Sequence, residues 1–201
     1  MRILVTAFDP FGELDTNSSM MVLQELNDKI GDIEIKKLII PTIYGECARI
    51  VWEEALAFDA DAILSLGQAG GRSAVTVEVI GINYACANMD DNAGVKITGE
   101  RLCDDGKAAY FSTLPVKEMA QAAKARGFKA DLSVSAGGFV CNSLLYTLLK
   151  NAHEAGNAVL VGFVHLPYEA SQGKDGFSMT KEDMTVCVEE MIKAINNFER
   201  N

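Results

Sequence analysis

Short apolar runs alternate with stretches of helical periodicity along most of this 201-residue chain, and this alternation restricts the fold more than any other feature. Strand-like runs lie at residues 2–7, 33–40, 61–67, 75–83, 129–135 and 157–165. Helical stretches lie at residues 18–29, 44–58, 115–126, 141–155 and 180–198. Strands that alternate with helices predict an α/β/α sandwich with a mixed, largely parallel central sheet.

The chain shows neither a linker nor an internal repeat, and its length suits one domain with a sizeable core. We therefore expect residues 1–201 to form a single domain. Gly31 is expected to follow the end of the first helix, and the polar residues 86–109 predict a long loop or hairpin. In such sheets ligands bind beyond the carboxyl ends of the strands. The loops where a site is expected follow Ala7, Leu66, Ser135 and Val164.

Composition excludes several kinds of partner. The net charge is −10 and no cluster of Lys or Arg is present, so we expect neither nucleic acid nor a membrane surface as a partner. No apolar run reaches the roughly 18 residues that a membrane-spanning helix needs. The N-terminal stretch MRILVTAFDPFG predicts a first strand rather than a signal peptide.

The five cysteines argue against a disulfide framework and against a zinc site. Their number is odd, they are widely spread, no CxxC pair occurs, and the chain has only two histidines. We therefore expect a cytoplasmic protein, in a reducing compartment, that holds no metal.

Cys141 is the strongest candidate nucleophile. It follows a strand and a Gly-Gly turn in SAGGFVCN, and it opens a helical stretch. The N–H groups and the dipole at a helix N-terminus favour a thiolate, so a lowered pKa is expected, and the same N–H groups could receive an oxyanion. The alternative is a core cysteine, because Cys141 shares an apolar face with Leu144, Leu145 and Leu148.

A cysteine nucleophile needs an imidazole to take and return its proton. His165 ends an apolar strand, whereas His153 lies at a helix C-terminus, where it complements the dipole. Glu78 interrupts the valines of VTVEVIGIN, and a carboxylate in a buried strand is costly unless it is paired. Paired with His165, it would fix the tautomer of the imidazole. The alternatives are a core histidine bonded to backbone and an edge-strand glutamate that faces water.

Six segments of the chain stand in a characteristic order: VTAFDPFG, SLGQAGGRSAVTVE, DDNAG, AYFSTLPV, SAGGFVCN and GFVHLPY. In these segments, and in its length, the chain resembles the pyroglutamyl peptidase I family of cysteine peptidases. The resemblance implies removal of an N-terminal pyroglutamyl residue from peptides and amides, through a thioester acyl-enzyme and without a metal or organic cofactor. It also implies a homo-oligomer, either a dimer or a tetramer.

The resemblance assigns catalytic roles to three residues. The family's nucleophilic cysteine falls on Cys141, its histidine before Leu-Pro-Tyr falls on His165, and its glutamate after Gly-Arg-Ser falls on Glu78. The same three residues are indicated by the chemistry of their side chains and by their positions in the sequence, as described above.

The resemblance also implies a set of substrate-binding residues. A pyroglutamyl group is an uncharged lactam, which calls for an apolar slot with a few hydrogen bonds. Phe8 and Phe11 resemble the aromatic pair that holds the ring, although simple loop packing is the alternative role for both. Asn17 and Gln68 are placed near the same pocket.

Two segments depart from the family pattern. ANMDDN has Asn88 where the family usually has an arginine and Asp90 where it has a proline. If the family's arginine assists at the scissile carbonyl, this chain lacks that cation, and its rate or substrate preference is expected to differ. Gly138 stands where the family commonly has a threonine or a related residue, which predicts a looser turn before Cys141. Two other functions stay open: a related thiol amidohydrolase of altered specificity, and a non-catalytic relative that binds a small molecule.

Overall fold

A seven-stranded sheet forms the centre of the computed structural model, which describes residues 1–12 and 14–198. The strands within these residues, in chain order, are β1 (Arg2–Phe8), β2 (Lys29–Ile30), β3 (Ile33–Ile40), β4 (Ala62–Gln68), β5 (Val75–Glu78), β6 (Ile80–Ile82), β7 (Ala109–Phe111), β8 (Ala130–Ser133), β9 (Leu160–Leu166), β10 (Tyr168–Glu169) and β11 (Ser178–Met179). The α-helices are α1 (Ser18–Glu25), α2 (Glu46–Phe58), α3 (Val116–Ala125), α4 (Val140–Glu154) and α5 (Lys181–Asn196).

The sheet is mixed and largely parallel, as predicted. Its strand order is β2-β3-β1-β4-β9-β5-β8. Strands β3, β1, β4 and β9 run parallel to one another, and β2 is antiparallel to β3. Strand β5 is antiparallel to β9 and parallel to β8. Consequently Thr76, near the start of β5, lies opposite His165 near the end of β9, and Glu78 lies opposite Phe163.

Helices cover both faces of the sheet, which confirms the α/β/α sandwich. Helices α1, α3 and α5 pack on one face, and α2 and α4 pack on the other. Alternate residues of a strand point to opposite faces. Leu4 and Phe163 therefore join the core under α2 and α4, while Val5 and Val164 join the core on the opposite face. Burial on both faces explains why these strands have near-continuous apolar sequences.

The first helix is shorter than predicted. It ends at Glu25 instead of continuing to residue 29, because Lys29 and Ile30 pair with the start of β3 and Ile30 is buried in the core. Gly31 belongs to the turn between β2 and β3, where its φ is +59°. The other four helices begin and end within two residues of the predicted bounds.

The predicted strand at residues 75–83 is two strands. β5 stays in the main sheet, whereas β6 leaves it after Val79 and pairs with β7. Most of the predicted loop at 86–109 has no regular structure, although its end enters β7. Within the residues that the structure describes, no helix is long and apolar enough to cross a membrane.

Candidate active site

His165 and Glu78 form a buried pair between neighbouring strands. Their exposed fractions are 3% and 0%, and His165 Nδ1 lies 2.8 Å from Glu78 Oε1. The structure therefore brings together two of the residues that the sequence singled out. Because Nδ1 is engaged with the carboxylate, Nε2 is the ring nitrogen suited to exchange a proton with another group.

The protonation of this pair reflects a balance between burial and mutual attraction. Burial lowers the pKa of His165 below its ordinary value, although Glu78 acts in the opposite direction. Burial also acts to raise the pKa of Glu78, but His165 and Arg72 together hold that pKa below its ordinary value. At neutral pH the pair is therefore a carboxylate beside a neutral imidazole, which can accept a proton as a general base.

Cys141 lies in the first turn of α4, over the same part of the sheet. Its Sγ is 3.2 Å from the position that a Cβ atom would take on Gly67, and Gly67 is paired with His165 across β4 and β9. The edge of the Phe163 ring lies 2.7 Å from that position, and this ring also packs against His165 with centroids 4.7 Å apart. Because Gly67 has no side chain, the Cys141 thiol and the His165 imidazole have room to lie close together.

The expectation of a lowered pKa for Cys141 is wrong. The side chain is partly exposed, yet protein surrounds the thiol closely enough that burial, with Cys47 and Glu78 nearby, raises its pKa to about 12. Arg72 and the backbone N–H of Cys141 lower this pKa but do not outweigh burial. The resting site is therefore a thiol beside a neutral imidazole, and the thiol needs a base to become a nucleophile.

The N-terminus of α4 presents backbone N–H groups beside the thiol. Phe139 precedes the helix, and no side chain of the described residues caps this end. The first N–H groups of a helix have no acceptor within it. Those of residues 140 and 141 are therefore suited to stabilise an oxyanion that forms next to Sγ.

The turn before α4 is tight, in contrast to the looser turn that Gly138 predicted. A Cβ atom on Gly138 would lie 2.3 Å from the carbonyl oxygen of Cys86. The Cys86 N–H donates to the Gly138 carbonyl over 2.8 Å, so the loop after β6 lies directly on the turn. Glycine at this position permits the close approach of the two backbones.

Arg72, the arginine of the Gly-Arg-Ser motif before Glu78, is a site residue to which the sequence assigned no role. Its Nη1 donates to Glu78 Oε1 over 2.6 Å and to the Thr76 hydroxyl, and its Nη2 donates to the Ser135 carbonyl over 2.9 Å. The available signal was the arginine in GGRSAVTVE, six residues before a carboxylate in a buried strand. The arginine reaches the carboxylate only because the loop before β5 folds back along the strand, and the spacing of the two residues in the sequence does not reveal this.

Asn142, the residue after the thiol, ties α4 to the end of β6 and to the loop that follows it. Its Oδ1 accepts from the Ile82 N–H over 3.0 Å, and its Nδ2 donates to the Ile82 and Tyr84 carbonyls over 2.9 Å each. The side chain is buried, so these bonds satisfy its polar atoms and fix the start of the helix.

The predicted aromatic residues lie on the same side of the sheet as Cys141. Phe8 is buried, and its ring packs 6.3 Å from that of Phe163. Phe11 is half-buried, and its ring lies 6.0 Å from that of Phe139, which meets the Tyr44 ring edge-on at 5.6 Å. Phe11, Phe139 and Tyr44 therefore form a partly open aromatic wall, while Phe8 is buried in the core against Phe163.

Asn17 and Gln68 support the start of α1. Asn17 is the N-cap residue: its Oδ1 accepts from the Ser19 N–H over 3.0 Å, and its Nδ2 donates to the Asp9 carbonyl over 3.1 Å. Gln68 Oε1 accepts from the Ser18 N–H over 2.8 Å. These bonds anchor the loop between β1 and α1, which carries Phe11. Direct contact of the Asn17 or Gln68 side chain with a substrate stays a prediction.

The chemistry of the site is that of a thiol and an imidazole. Within the described part of the chain, no group of three or more His, Cys, Asp or Glu side chains is placed to hold a metal ion. Asn88 and Asp90, at the departures from the family pattern, are exposed. A groove of about 450 Å³ lies between α3 and α5, on the opposite face of the sheet, but its lining contains neither a thiol nor an imidazole.

The chain matches a family model described as pyroglutamyl peptidase over residues 1–198. Among its relatives, the pyrrolidone-carboxylate peptidase of Thermoanaerobacter sp. (strain X514) is 41% identical over 198 residues, which are 97% of this chain and 98% of that protein. The pyrrolidone-carboxylate peptidase of Staphylococcus haemolyticus is 42% identical over 199 residues, which are 98% of this chain and 94% of that protein.

Solved structures give the same result. The crystal structure of pyroglutamyl peptidase I from Bacillus amyloliquefaciens has a TM-score of 0.94 and 31% identity, over 100% of this chain and 98% of that one. Pyrrolidone carboxyl peptidase from the hyperthermophile Pyrococcus furiosus has a TM-score of 0.92 and 32% identity, over 98% of each chain.

Proposed function

This chain belongs to the pyroglutamyl peptidase family of cysteine peptidases, and we propose that it hydrolyses the amide bond after an N-terminal pyroglutamyl residue with Cys141, His165 and Glu78 as its catalytic residues. The observation that carries this assignment is the buried Glu78–His165 pair beside the thiol at the N-terminus of α4. A base, a nucleophile and oxyanion donors at one place are the components that acyl transfer requires.

Acylation begins when His165 removes the proton of the Cys141 thiol. The sulfur attacks the carbonyl carbon of the pyroglutamyl residue, and the oxygen takes negative charge that the first N–H groups of α4 stabilise. The carbon–nitrogen bond then breaks. His165 gives the proton to the leaving amine, and a thioester between the pyroglutamyl group and Cys141 remains.

Deacylation repeats these steps with water as the nucleophile. His165 takes a proton from water, and the hydroxide attacks the thioester carbonyl. The carbon–sulfur bond breaks, free pyroglutamate leaves, and His165 returns the proton to the sulfur. Glu78 stays ionised throughout, holds the Nδ1–H tautomer and stabilises the imidazolium that forms at each step.

The aromatic wall supports the choice of a lactam as the group that binds. Phe11, Phe139 and Tyr44 offer apolar and aromatic surface next to the first turn of α4. A neutral five-membered ring can be buried against such a surface at little cost, whereas a free α-amino group would lose its hydration. Phe8, Asn17 and Gln68 take part through the loop that presents Phe11.

Several broader properties belong to the same proposal. The five cysteines are free thiols, which supports a reducing, cytoplasmic environment. We take residues 1–201 to act as one peptidase domain, with a peptide substrate and without nucleic acid or membrane partners. Exposed apolar side chains beside β8 support a homo-oligomer, either a dimer or a tetramer.

A panel of chromogenic amides tests the reaction. Wild-type protein should release the amine from a pyroglutamyl amide and much more slowly from prolyl and glutaminyl amides. Cys141→Ala should abolish release, whereas Cys103→Ala, which removes another thiol outside the site, should leave it unchanged. Equal rates on the three amides would instead indicate a thiol amidohydrolase of other specificity. Full activity of Cys141→Ala would show that Cys141 is not the nucleophile.

A further inference from the structure

Arg72 connects the Glu78 carboxylate to the turn that precedes Cys141. Its Nη1 donates to Glu78 and Thr76 on β5, and its Nη2 donates to the Ser135 carbonyl between β8 and α4. A guanidinium presents its donors in a fixed plane, so these bonds define direction as well as distance. One side chain thus joins two parts of the proposed site that are distant in the sequence.

The two groups that hold Glu78 converge on one of its oxygens. Oε1 accepts from His165 Nδ1 at 2.8 Å and from Arg72 Nη1 at 2.6 Å. Oε2 is buried and has no hydrogen-bond partner among the described residues. The hydroxyl of Ser133 lies near enough to lower the pKa of Glu78, but it donates to the Ser135 carbonyl at 3.1 Å.

This arrangement makes the second contact to Oε1 important. The terminal torsion of a glutamate has a broad preference, so a carboxylate held through one hydrogen bond can turn about its last carbon–carbon bond. Turning would move Oε1 away from the imidazole. Arg72, which approaches Oε1 from a second direction, opposes that rotation.

We propose that Arg72 is a positioning residue that fixes the Glu78 carboxylate against His165 and, through Ser135, holds the turn that leads into Cys141. This inference rests on the peptidase function proposed above. It adds a residue that acts through Glu78 and through the backbone of the turn.

The charge of Arg72 has an effect that can be separated from its geometry. Arg72 lowers the pKa of His165 and the pKa of Cys141, while Glu78 raises both. Within the described residues, the charged groups that act on the imidazole are Glu78 and Arg72, both from the side of β5. From α4, Cys141 lies over Gly67, the residue that pairs with His165. Loss of the Arg72 charge should therefore raise the pKa of both reacting groups.

Two substitutions distinguish charge from geometry. Arg72→Gln removes the charge and most of the hydrogen-bond donors of the guanidinium. Arg72→Lys keeps the charge, but a single ammonium is a point charge that does not reproduce a planar fork to three acceptors. Arg126→Gln, at the exposed C-cap of α3, is the matched control and should behave like the wild type.

The measurement is the pH dependence of kcat and KM for a pyroglutamyl amide. Arg72→Gln should lower kcat by about tenfold to 100-fold, as expected for lost hydrogen bonds to a charged group. Its KM should change little, and the acidic limb of kcat/KM should move to higher pH. Arg72→Lys should keep the acidic limb of the wild type and still have a reduced kcat.

A substrate-free readout separates this inference from the proposed function. Alkylation of Cys141 by iodoacetamide, followed by mass spectrometry, should be slower in Arg72→Gln than in the wild type at the same pH. If the wild type cleaves no pyroglutamyl amide, the function fails, and the alkylation rates still decide the role of Arg72. The inference is overturned if Arg72→Lys has the kcat of the wild type. It is also overturned if a folded Arg72→Gln keeps both the acidic limb and the alkylation rate of the wild type. If Arg72→Gln does not fold, the kcat of Arg72→Lys decides.

Discussion

The reactivity of Cys141 is decided by its immediate surroundings more than by the helix that carries it. A charge near a helix terminus gains about 0.3–1 kcal/mol, which is less than the 1.36 kcal/mol of one pKa unit. Burial raises the pKa of Cys141 from 9.0 to about 12, a larger effect in the opposite direction. His165 is therefore needed as a base before the sulfur can attack.

Substitution of the carboxylate tests this dependence on His165. Glu78→Gln should lower kcat by about 10²-fold to 10⁴-fold, because Glu78 positions His165 and a positioned general base contributes a factor in this range. Because Glu78 raises the pKa of His165, the acidic limb of kcat/KM should move to lower pH, opposite to the shift expected for Arg72→Gln. The readout is the pH profile of amine release, with the exposed Glu118→Gln as control. An acidic limb that moves upward in Glu78→Gln would contradict the pairing.

The residues of the site differ in how far the sequence could reveal them. Each catalytic candidate stands out by its place in an apolar pattern: Cys141 opens a helical stretch after a Gly-Gly turn, His165 ends an apolar strand, and Glu78 interrupts a run of valines. Arg72 lies in a polar, glycine-rich loop, where an arginine is unremarkable until the fold shows what it contacts. A contact between side chains on two loops depends on tertiary structure, which local patterns do not contain.

At the scale of the elements, the direction of β5 is the feature that the sequence did not show. Apolar runs reveal that strands exist and that they are buried on both faces. They do not reveal which neighbour a strand takes or in which direction it runs, so the place of Glu78 relative to His165 could not be predicted from them. Because β5 runs antiparallel to β9, Glu78 lies opposite Phe163, and its side chain reaches His165 within the sheet.

The turn before α4 provides a test at this scale. Gly138→Ala would place a Cβ atom against the Cys86 backbone, so the turn or the loop has to move. We expect a loss of roughly 1–3 kcal/mol in the free energy of unfolding, the usual cost of overpacking, together with a lower kcat. Urea denaturation and the pyroglutamyl amide assay measure the two effects.

Gly127→Ala is the matched control for this substitution. Gly127 has a φ of +87° with open space around it, so alanine there has only the cost of the left-handed conformation, about 1–2 kcal/mol. It lies after α3, and kcat should stay unchanged. Unchanged stability and kcat in Gly138→Ala would mean that the close approach of Cys86 has no role in holding the turn.

For the whole molecule, one end of the sheet has an unusual surface. β8 is the last strand of the sheet, and two apolar side chains on it or next to it are exposed, Leu132 by 43% and Val134 by 76%. Phe111, on β7, is 70% exposed. Exposed edges and apolar patches of this kind favour association. We therefore expect sedimentation to give the mass of a dimer or a tetramer.

Val134→Lys should reduce that mass, whereas Leu56→Lys, at an exposed position on α2, should leave it unchanged. A monomer at every concentration of the wild type would exclude the homo-oligomer. The same mass in both variants would place the contact on another face of the molecule.

The central claim, that Cys141 carries the pyroglutamyl group during hydrolysis, is tested most directly by trapping the acyl-enzyme. Wild-type protein is mixed with an activated pyroglutamyl ester, quenched in acid within the first turnover and digested for mass spectrometry. We predict one pyroglutamyl group, as a thioester, on the peptide that contains Cys141, and none on peptides with the other four cysteines. Turnover of the ester with no acyl group on Cys141, or with the group on another cysteine, would contradict the account.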